Sequence, residues 1–424
     1  MSDQPTPTIS RVLPDGSLIE LLYDSAEGST KLALATPAGT VSVSGQLTMP
    51  DGEILVPYAA SNNLLSSGCV MLPAHIDSDC DKAALLSDIK NFVHRYVALS
   101  PLFEDIAAHY VLLSWVYDVF NEVPYLRLAG DFGAGKTRAL LVLGSLMYKG
   151  FFASGASTAS PIFHVLHEFG GVLVLDEADL RFSDATADLV KILNNGTMKG
   201  LPVLRTLTNR YRELNPAAFR VFGPKIVAMR ERFQDVALES RFLTENMDQV
   251  SMRADIPIHL PGNMKSEAAH LRNRLLGWRF ANRHRVEIEA DRAVPGVSHR
   301  GNQMVLPLLS LVDDSEIRGA IGTWLATAEA RATAKRATLP HVAMVRVLEH
   351  LFQTAPCVPV ATAAEAFNEM GENPLPIKSV GHIIRRELGL VTTKTRGVYV
   401  VPASERGKVK ELAERYGATV SNTG

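Results

Sequence analysis

One run of eight residues, Gly130-Asp131-Phe132-Gly133-Ala134-Gly135-Lys136-Thr137, limits the folds open to this chain more than any other segment. It fits GxxxxGK[ST] at every position. The glycines let the backbone curl until successive N–H groups point at phosphate oxygens. Lys136 reaches toward the β- and γ-phosphates, and the Thr137 hydroxyl is placed for Mg2+. Such a loop needs a strand before it and a helix after it. Residues 124–129 read as the strand, and residues 138–146, opening at Arg138, read as a helix whose positive N-terminus adds to the phosphate seat.

A second run, Gly171-Val172-Leu173-Val174-Leu175-Asp176-Glu177, suits a strand buried on both faces and ends in two carboxylates. Strand ends in open α/β sheets are where ligands bind. Asp176 is suited to hold Mg2+, mostly through water, and Glu177 to orient and deprotonate an attacking water. Lys136 and Asp176 stand 40 residues apart. That interval holds a helix, a strand near 151–153 and a helix near 161–167. An extra strand between the two motif strands, with a Glu after the Asp, is the additional-strand layout of P-loop ATPases. A kinase-like P-loop needs neither feature.

The 424 residues allow about three domains, or one large domain with appendages. A 46% apolar fraction is enough for a sizeable core. The formal net charge of -2 excludes a basic coat protein and an acidic disordered tail. It hides a local patch, because residues 376–424 carry nine Lys and Arg against four acids. Three cysteines without CxxC spacing argue against a disulfide framework or a Cys-rich zinc site, and for a reducing compartment. No apolar run approaches the ~18 residues of a membrane helix, and no charged-then-apolar leader opens the sequence. The expectation is a cytoplasmic chain with no membrane partner.

The pattern along the chain divides it. Residues 1–75 read as a β-rich module with turns at Asp15-Gly16, Ala38-Gly39 and Asp51-Gly52. Residues 76–120 read as a helical linker or collar, 121–250 as an α/β core, and 251–352 as a helical lid. In the lid, Arg272, Arg274, Arg279, Arg283 and Arg285 fit a solvated face. In 353–424, a helix, a second helix over 377–389 and two short strands turning at Thr395-Arg396 follow one another. The expected fold class is α/β: a P-loop core with a parallel sheet, a helical lid, a small N-terminal β-rich region and a C-terminal winged helix.

On the strength of the two motifs and their separation, the chain resembles the AAA+ superfamily of P-loop ATPases. It looks most like the helicase-type ATPases of phages, plasmids and mobile elements, relatives of superfamily III and minichromosome-maintenance helicases. The resemblance spans about 120–250 and, more loosely, 80–120. It implies ATP and Mg2+ as cofactors and a homo-oligomeric ring, taken as a hexamer. Asp235-Val236-Ala237-Leu238-Glu239-Ser240-Arg241-Phe242 is similar to the family segment whose arginine completes a neighbour's site, which points to Arg241 as a finger in trans. The strand at 222–230 ends in Met229-Arg230 where the family commonly has Asn or Thr. Arg230 is the candidate sensor despite that departure. By analogy Arg300 is the lid arginine that senses nucleotide.

Nucleic acid has two candidate seats. After a helix over 183–195, the segment carrying Lys199, Arg205, Arg210, Tyr211 and Arg212 matches the place where helicase relatives have a pore hairpin, with cations for phosphates and an aromatic for a base of single-stranded DNA. The C-terminal segment offers Lys378, Arg385, Arg386, Lys394 and Arg396 to duplex DNA, a helix in the major groove and a wing on the backbone. Three readings stay open: a DNA helicase or translocase in mobile-element or phage replication; a DNA-bound switch such as an initiator, loader or regulator of transposition or transcription; and a protein-remodelling or defence ATPase.

Overall fold

The short alternating runs at the N-terminus pair into two small sheets. The computed structural model describes residues 4–78, 81–155, 157–176, 184–208, 214–230, 233, 235–337, 339–370 and 374–416. The chain falls into two compact units, Met1–Gly322 and Thr323–Gly424. The first opens with β1 (Thr6–Thr8), β2 (Ser10–Val12), β3 (Leu18–Asp24), β4 (Ser29–Ala35), β5 (Val41–Ser44), β6 (Leu47–Thr48), β7 (Ile54–Pro57) and the short helix α1 (Asn63–Ser66). The order β2-β3-β4-β5 makes an antiparallel sheet, and β1-β7-β6 a second in which β1 runs parallel to β7. All three dipeptide turns form, with glycine φ values of +85°, +86° and +86° that a side chain would resist. Ile9, Ile19, Leu21, Leu32 and Leu55 are buried in the same cluster as Phe163, Leu173, Leu175 and Ile192. The N-terminal strands therefore share one core with the α/β layer.

Two helices lead into that layer. In α2 (Lys82–Tyr96) the Asp81 carboxylate accepts from the Ala84 N–H at 2.7 Å as an N-cap. α3 (Pro101–Ser114) starts with proline, whose missing N–H is no loss in a first turn. The layer runs β8 (Tyr125–Ala129), α4 (Lys136–Gly144), β9 (Phe151–Ser154), α5 (Ala159–Phe169), β10 (Leu173–Asp176), α6 (Asp184–Asn195), β11 (Val203–Thr208), β12 (Leu214–Phe219), β13 (Lys225–Met229), α7 (Val236–Glu239) and β14 (Phe242–Asn246). Five strands form one sheet in the order β14-β8-β13-β10-β9, every pair parallel. The strand between the loop-bearing β8 and the Asp176-bearing β10 is β13, which comes later in the sequence than both; the strand expected between them at 151–153 is β9, at the sheet edge beyond β10. β11 and β12 form a separate antiparallel hairpin.

Next come α8 (Asn263–Asn282), α9 (His299–Leu309) and α10 (Ser315–Ala337). The arginines of α8 correct the solvated-face reading. Arg272, Arg274 and Arg279 are buried. Arg272 donates to the carbonyls of Leu72 (3.3 Å) and Ser145 (2.6 Å), and Arg274 pairs with Asp88 at 2.6 Å. Arg279 donates to Glu20 on β3 at 2.9 Å and to both carboxylate oxygens of Asp118 at 2.9 Å. Arg283 reaches Asp118 at 2.9 Å, and the Tyr148 hydroxyl donates to Glu20 at 2.6 Å. Burial works to raise the Asp118 carboxyl, but the Arg279 and Arg283 guanidinium groups outweigh it and hold it well below the usual carboxylate range. Of the five arginines, Arg285 is exposed.

Another buried cation is held by backbone carbonyls. Lys225, fully buried at the start of β13, donates to the carbonyls of Val221 (2.9 Å), Gly223 (2.9 Å) and Gly196 (3.4 Å) and lies 4.8 Å from the Tyr125 ring centroid. These carbonyls flank the β11–β12 hairpin on both sides, so one ammonium ties its two roots. A Cβ on Gly196 would stand 2.6 Å from the Val221 carbonyl and 2.7 Å from the Ile192 carbonyl and would meet the Lys225 Nζ, which explains the glycine. Burial pulls the lysine down to about 7.

The second unit contains α11 (Pro340–Thr354), β15 (Val358–Pro359), α12 (Val360–Glu369), α13 (Ile377–His382), continued by a wide turn over Ile383–Glu387, then β16 (Thr393–Thr395), β17 (Val398–Val401) and α14 (Arg406–Tyr416). Its sheet order is β15-β17-β16. Val342, Val345 and Leu348 of α11 are buried with Ala363, Val380, Ile384 and Val401. The helix that sequence patterning assigned to the end of the lid packs in this core. The hairpin turns at Arg396-Gly397, one residue later than expected, with φ of +49° and +87°. No described helix is long and apolar enough to cross a membrane.

Two stability effects are expected. Arg279→Met takes from the buried Glu20 one of its two cations, the other being Lys149 at 3.4 Å, and strips Asp118 of one partner, so it should destabilise the chain by about 3–5 kcal/mol in urea denaturation. For Lys225, the unfolded chain binds a proton that the folded chain has released between about pH 7 and the ordinary value of 10.5. Stability should therefore rise with pH through that window, by about 2–3 kcal/mol from pH 7 to 9. Lys225→Met should remove that rise, read from urea midpoints at the two pH values.

Candidate nucleotide site

Parallel pairing carries the C-terminal ends of β8, β13 and β10 to one edge of the sheet. In register, Met229 stands opposite Ala129, and Leu175 opposite Val227. With about 4.8 Å between neighbouring strands, the ends of β8 and β10 lie about 10 Å apart. A cleft of about 320 Å³ sits there, lined by Phe132, Gly133, Ala134, Gly135, Lys136, Thr137, Arg138, Asp176, Ala228 and Arg230. The sequence-expected loop, its lysine and threonine, the Asp176 carboxylate and the Arg230 candidate sensor all meet at this cleft. Glu177 lies outside the described residues.

The loop has the conformation its composition requires. Gly133 and Gly135 take φ of +87° and +85°, and Gly135 forms the N-cap from which α4 starts at Lys136, two residues before the expected start. Lys136 Nζ donates to the carbonyls of Gly130 and Asp131, each at 2.6 Å. These contacts fold the ammonium back over the loop.

Asp248 is a residue of this site that sequence reading missed. It follows β14, which pairs with β8, so the register brings it to the loop. Its carboxylate accepts from the Asp131 N–H at 2.9 and 3.0 Å. A Cβ on Gly130 would come within 3.0 Å of Asp248 Oδ1. The signal lay in no local motif, because the partners are 117 residues apart. Arg138 lines the cleft, but its guanidinium is held by the carbonyls of Pro257 and Ile258, so it anchors the chain after β14 across the start of α4.

The opposite edge holds Arg241. It stands at the start of β14, one strand length from the loop, about 16 Å for five residues. It donates to the carbonyls of Leu193 (3.2 Å) and Asn194 and to Asn194 Oδ1 (2.9 Å), at the C-terminal end of α6. Cations are favoured at a helix C-terminus. Arg300, the expected nucleotide-sensing arginine, is not among the residues lining this cleft. It donates to the Ala237 carbonyl at 3.2 Å, on the helix before Arg241, while Gln303 on the same helix α9 bonds Glu122 ahead of β8 at 2.9 Å. The start of α9 is thus fixed to the edge away from the cleft.

The hairpin cations are also placed differently from a free loop. Lys199 donates to the Asp118 carbonyl at 2.9 Å, and Arg205 pairs with Asp188 and lies 4.1 Å from the Phe163 ring centroid. Both are held at the root of the hairpin by the body of the unit. Arg210, Tyr211 and Arg212, between β11 and β12, lie outside the described residues. In the second unit, Lys378, Arg385, Arg386, Lys394 and Arg396 are all exposed. Among the described residues no cluster of three or more His, Cys, Asp or Glu could hold a metal ion. The cation seat expected from Thr137 and Asp176 has one carboxylate, which suits an ion that keeps several waters.

No family model matches the chain, and no curated protein does. Among solved structures, it is similar to the apo C-terminal region of NrS-1, at 12% identity over 91% of this chain and 96% of that one, with a TM-score of 0.36. It is also similar to the SCCmec type IV Cch helicase, at 12% identity over 97% and 99%, with a TM-score of 0.40. A third is the JCV helicase bound to a small molecule, at 15% identity over 59% and 62%, with a TM-score of 0.23. With every TM-score below 0.5, none of these likenesses bears on activity.

Gly130→Ala should push Asp248 off the Asp131 N–H and distort the loop. The expected outcome is about tenfold weaker binding of a fluorescent ATP analogue, with an unchanged urea midpoint.

Proposed function

We propose that this chain is an ATP-hydrolysing motor that acts on DNA as a helicase or translocase, built as a ring of identical copies. The observation that carries the reading is the cleft where the Gly130–Thr137 loop, Asp176 and Arg230 meet at one edge of a five-stranded parallel sheet. Its donor set fits a nucleotide with Mg2+. The loop N–H groups and Lys136 would hold the phosphates, and Thr137 and Asp176 the ion. When bound, Mg2+ supplies positive charge that offsets charge developing on the transferred phosphoryl group. Lys136 adds a cation at the same oxygens. Arg230 at the end of β13 serves as the sensor. Glu177, next to Asp176 in the sequence, takes the proton of the attacking water.

Arg241 supports the ring. A guanidinium one strand length from its own loop cannot serve that loop, but it can serve a neighbour's. Arg300, fixed to the same edge, belongs to that trans surface in this reading. DNA would pass the β11–β12 hairpin as a single strand, while the second unit, with the helix, helix and hairpin sequence of a winged helix, holds duplex DNA.

Hydrolysis measured with no DNA, with single-stranded DNA and with duplex, beside native mass measurement with an ATP analogue, tests all of this. The motor reading expects DNA-stimulated turnover, strand displacement and a closed oligomer. Stimulated turnover without movement would support a DNA-bound switch, and indifference to DNA a protein-remodelling ATPase. Lys136→Ala and Arg241→Ala should each abolish turnover, and mixing the two variants should restore part of it.

A further inference from the structure

We propose that the β16–β17 hairpin carries a stacking platform for an unpaired base, with Tyr399 as the ring and single-stranded DNA as the ligand. This rests on the nucleic-acid reading above and deepens it, because that reading gives this unit to duplex DNA.

Tyr399 is 53% exposed, a large aromatic that the core does not use. It pairs directly across the hairpin with Lys394, whose Nζ is 5.9 Å from the ring centroid. Arg385, from the turn after α13, has its guanidinium carbon 6.0 Å from the same centroid. The ring is therefore flanked by cations from two elements. Arg396 stands at the tip in a left-handed backbone, φ +49°, where Asn or Gly meets less steric resistance. The chain thus keeps a third cation at the tip, at a position that disfavours it sterically.

Two of the four acids of this segment are turned to other tasks. Glu405 accepts from the Val391 N–H at 3.1 Å, and Glu387 pairs with His341 at 3.5 Å. An exposed ring flanked by cations suits a strand whose bases are unstacked, since every base has a π-face and the phosphates on either side meet the cations. Duplex DNA keeps its base faces stacked inside the helix and would use the cations alone. The aromatic thus points to the single strand.

The test is binding of the full chain to a ~20-nucleotide oligodeoxythymidine and to a blunt duplex, in about 0.1 M salt. Tyr399→Ala should weaken single-strand binding about tenfold and leave duplex binding within about twofold, while Tyr399→Phe, which keeps the ring, should bind like the parent. Tyr399→Trp should gain a fluorescence signal that the single strand quenches and the duplex does not. Equal single-strand binding by Tyr399→Ala and the parent would overturn the proposal, as would an equal loss on both forms or an unquenched tryptophan. A parent chain that binds neither form removes the nucleic-acid reading itself, which is a separate outcome.

Discussion

Parallel register is the constraint on which the rest of the first unit depends. Once β8, β13 and β10 run side by side in one direction, the loop after β8 and the carboxylate after β10 must share an edge, with one strand between them. That spacing leaves room for a ligand larger than a side chain. The same register sends the start of β14, and Arg241 with it, to the far edge. One geometric fact thus makes a cleft on one side and sets an arginine on the other.

The end of α6 gathers the edge away from the cleft. Tyr125 donates to the Leu193 carbonyl at 3.0 Å, Arg241 to Leu193 and Asn194, and Lys225 to Gly196. Three side chains, from β8, the start of β14 and β13, converge on the last carbonyls of one helix. Those strands run from this junction toward the cleft, and the β11–β12 hairpin leaves from the same place. A change in the position of α6 would be felt at the hairpin root and at Arg241 together.

The parts legible in the sequence were those written in local pattern. The glycine spacing of 130–137, the apolar run before Asp176 and the turn glycines need only their neighbours to be read. Charged residues were the least legible. Arg272, Arg274 and Arg279 look like a solvated face because their partners are distant in sequence, Glu20 being 259 residues from Arg279. Asp248 and the far-edge position of Arg300 depend on strand register for the same reason. Lys199 is exposed yet donates to the Asp118 carbonyl, and Arg205 is half-buried against Asp188, partners that no local pattern reveals. Tyr399 gives no local sign of its exposure, because a tyrosine in a short strand fits a core face as readily as a surface.

The pairing of Glu20 with Arg279 also sets an order of events during synthesis. The N-terminal strands leave the ribosome first, yet of the two cations that compensate their buried carboxylate, Lys149 is made 129 residues later and Arg279 259 residues later. At about 5–20 residues per second, the longer interval is roughly 13–50 s. Until α8 emerges, Glu20 on β3 has Tyr148 and Lys149 beside it but lacks its guanidinium partner, so the sheet cannot reach its final core. The first segment to be made is thus among the last to be finished.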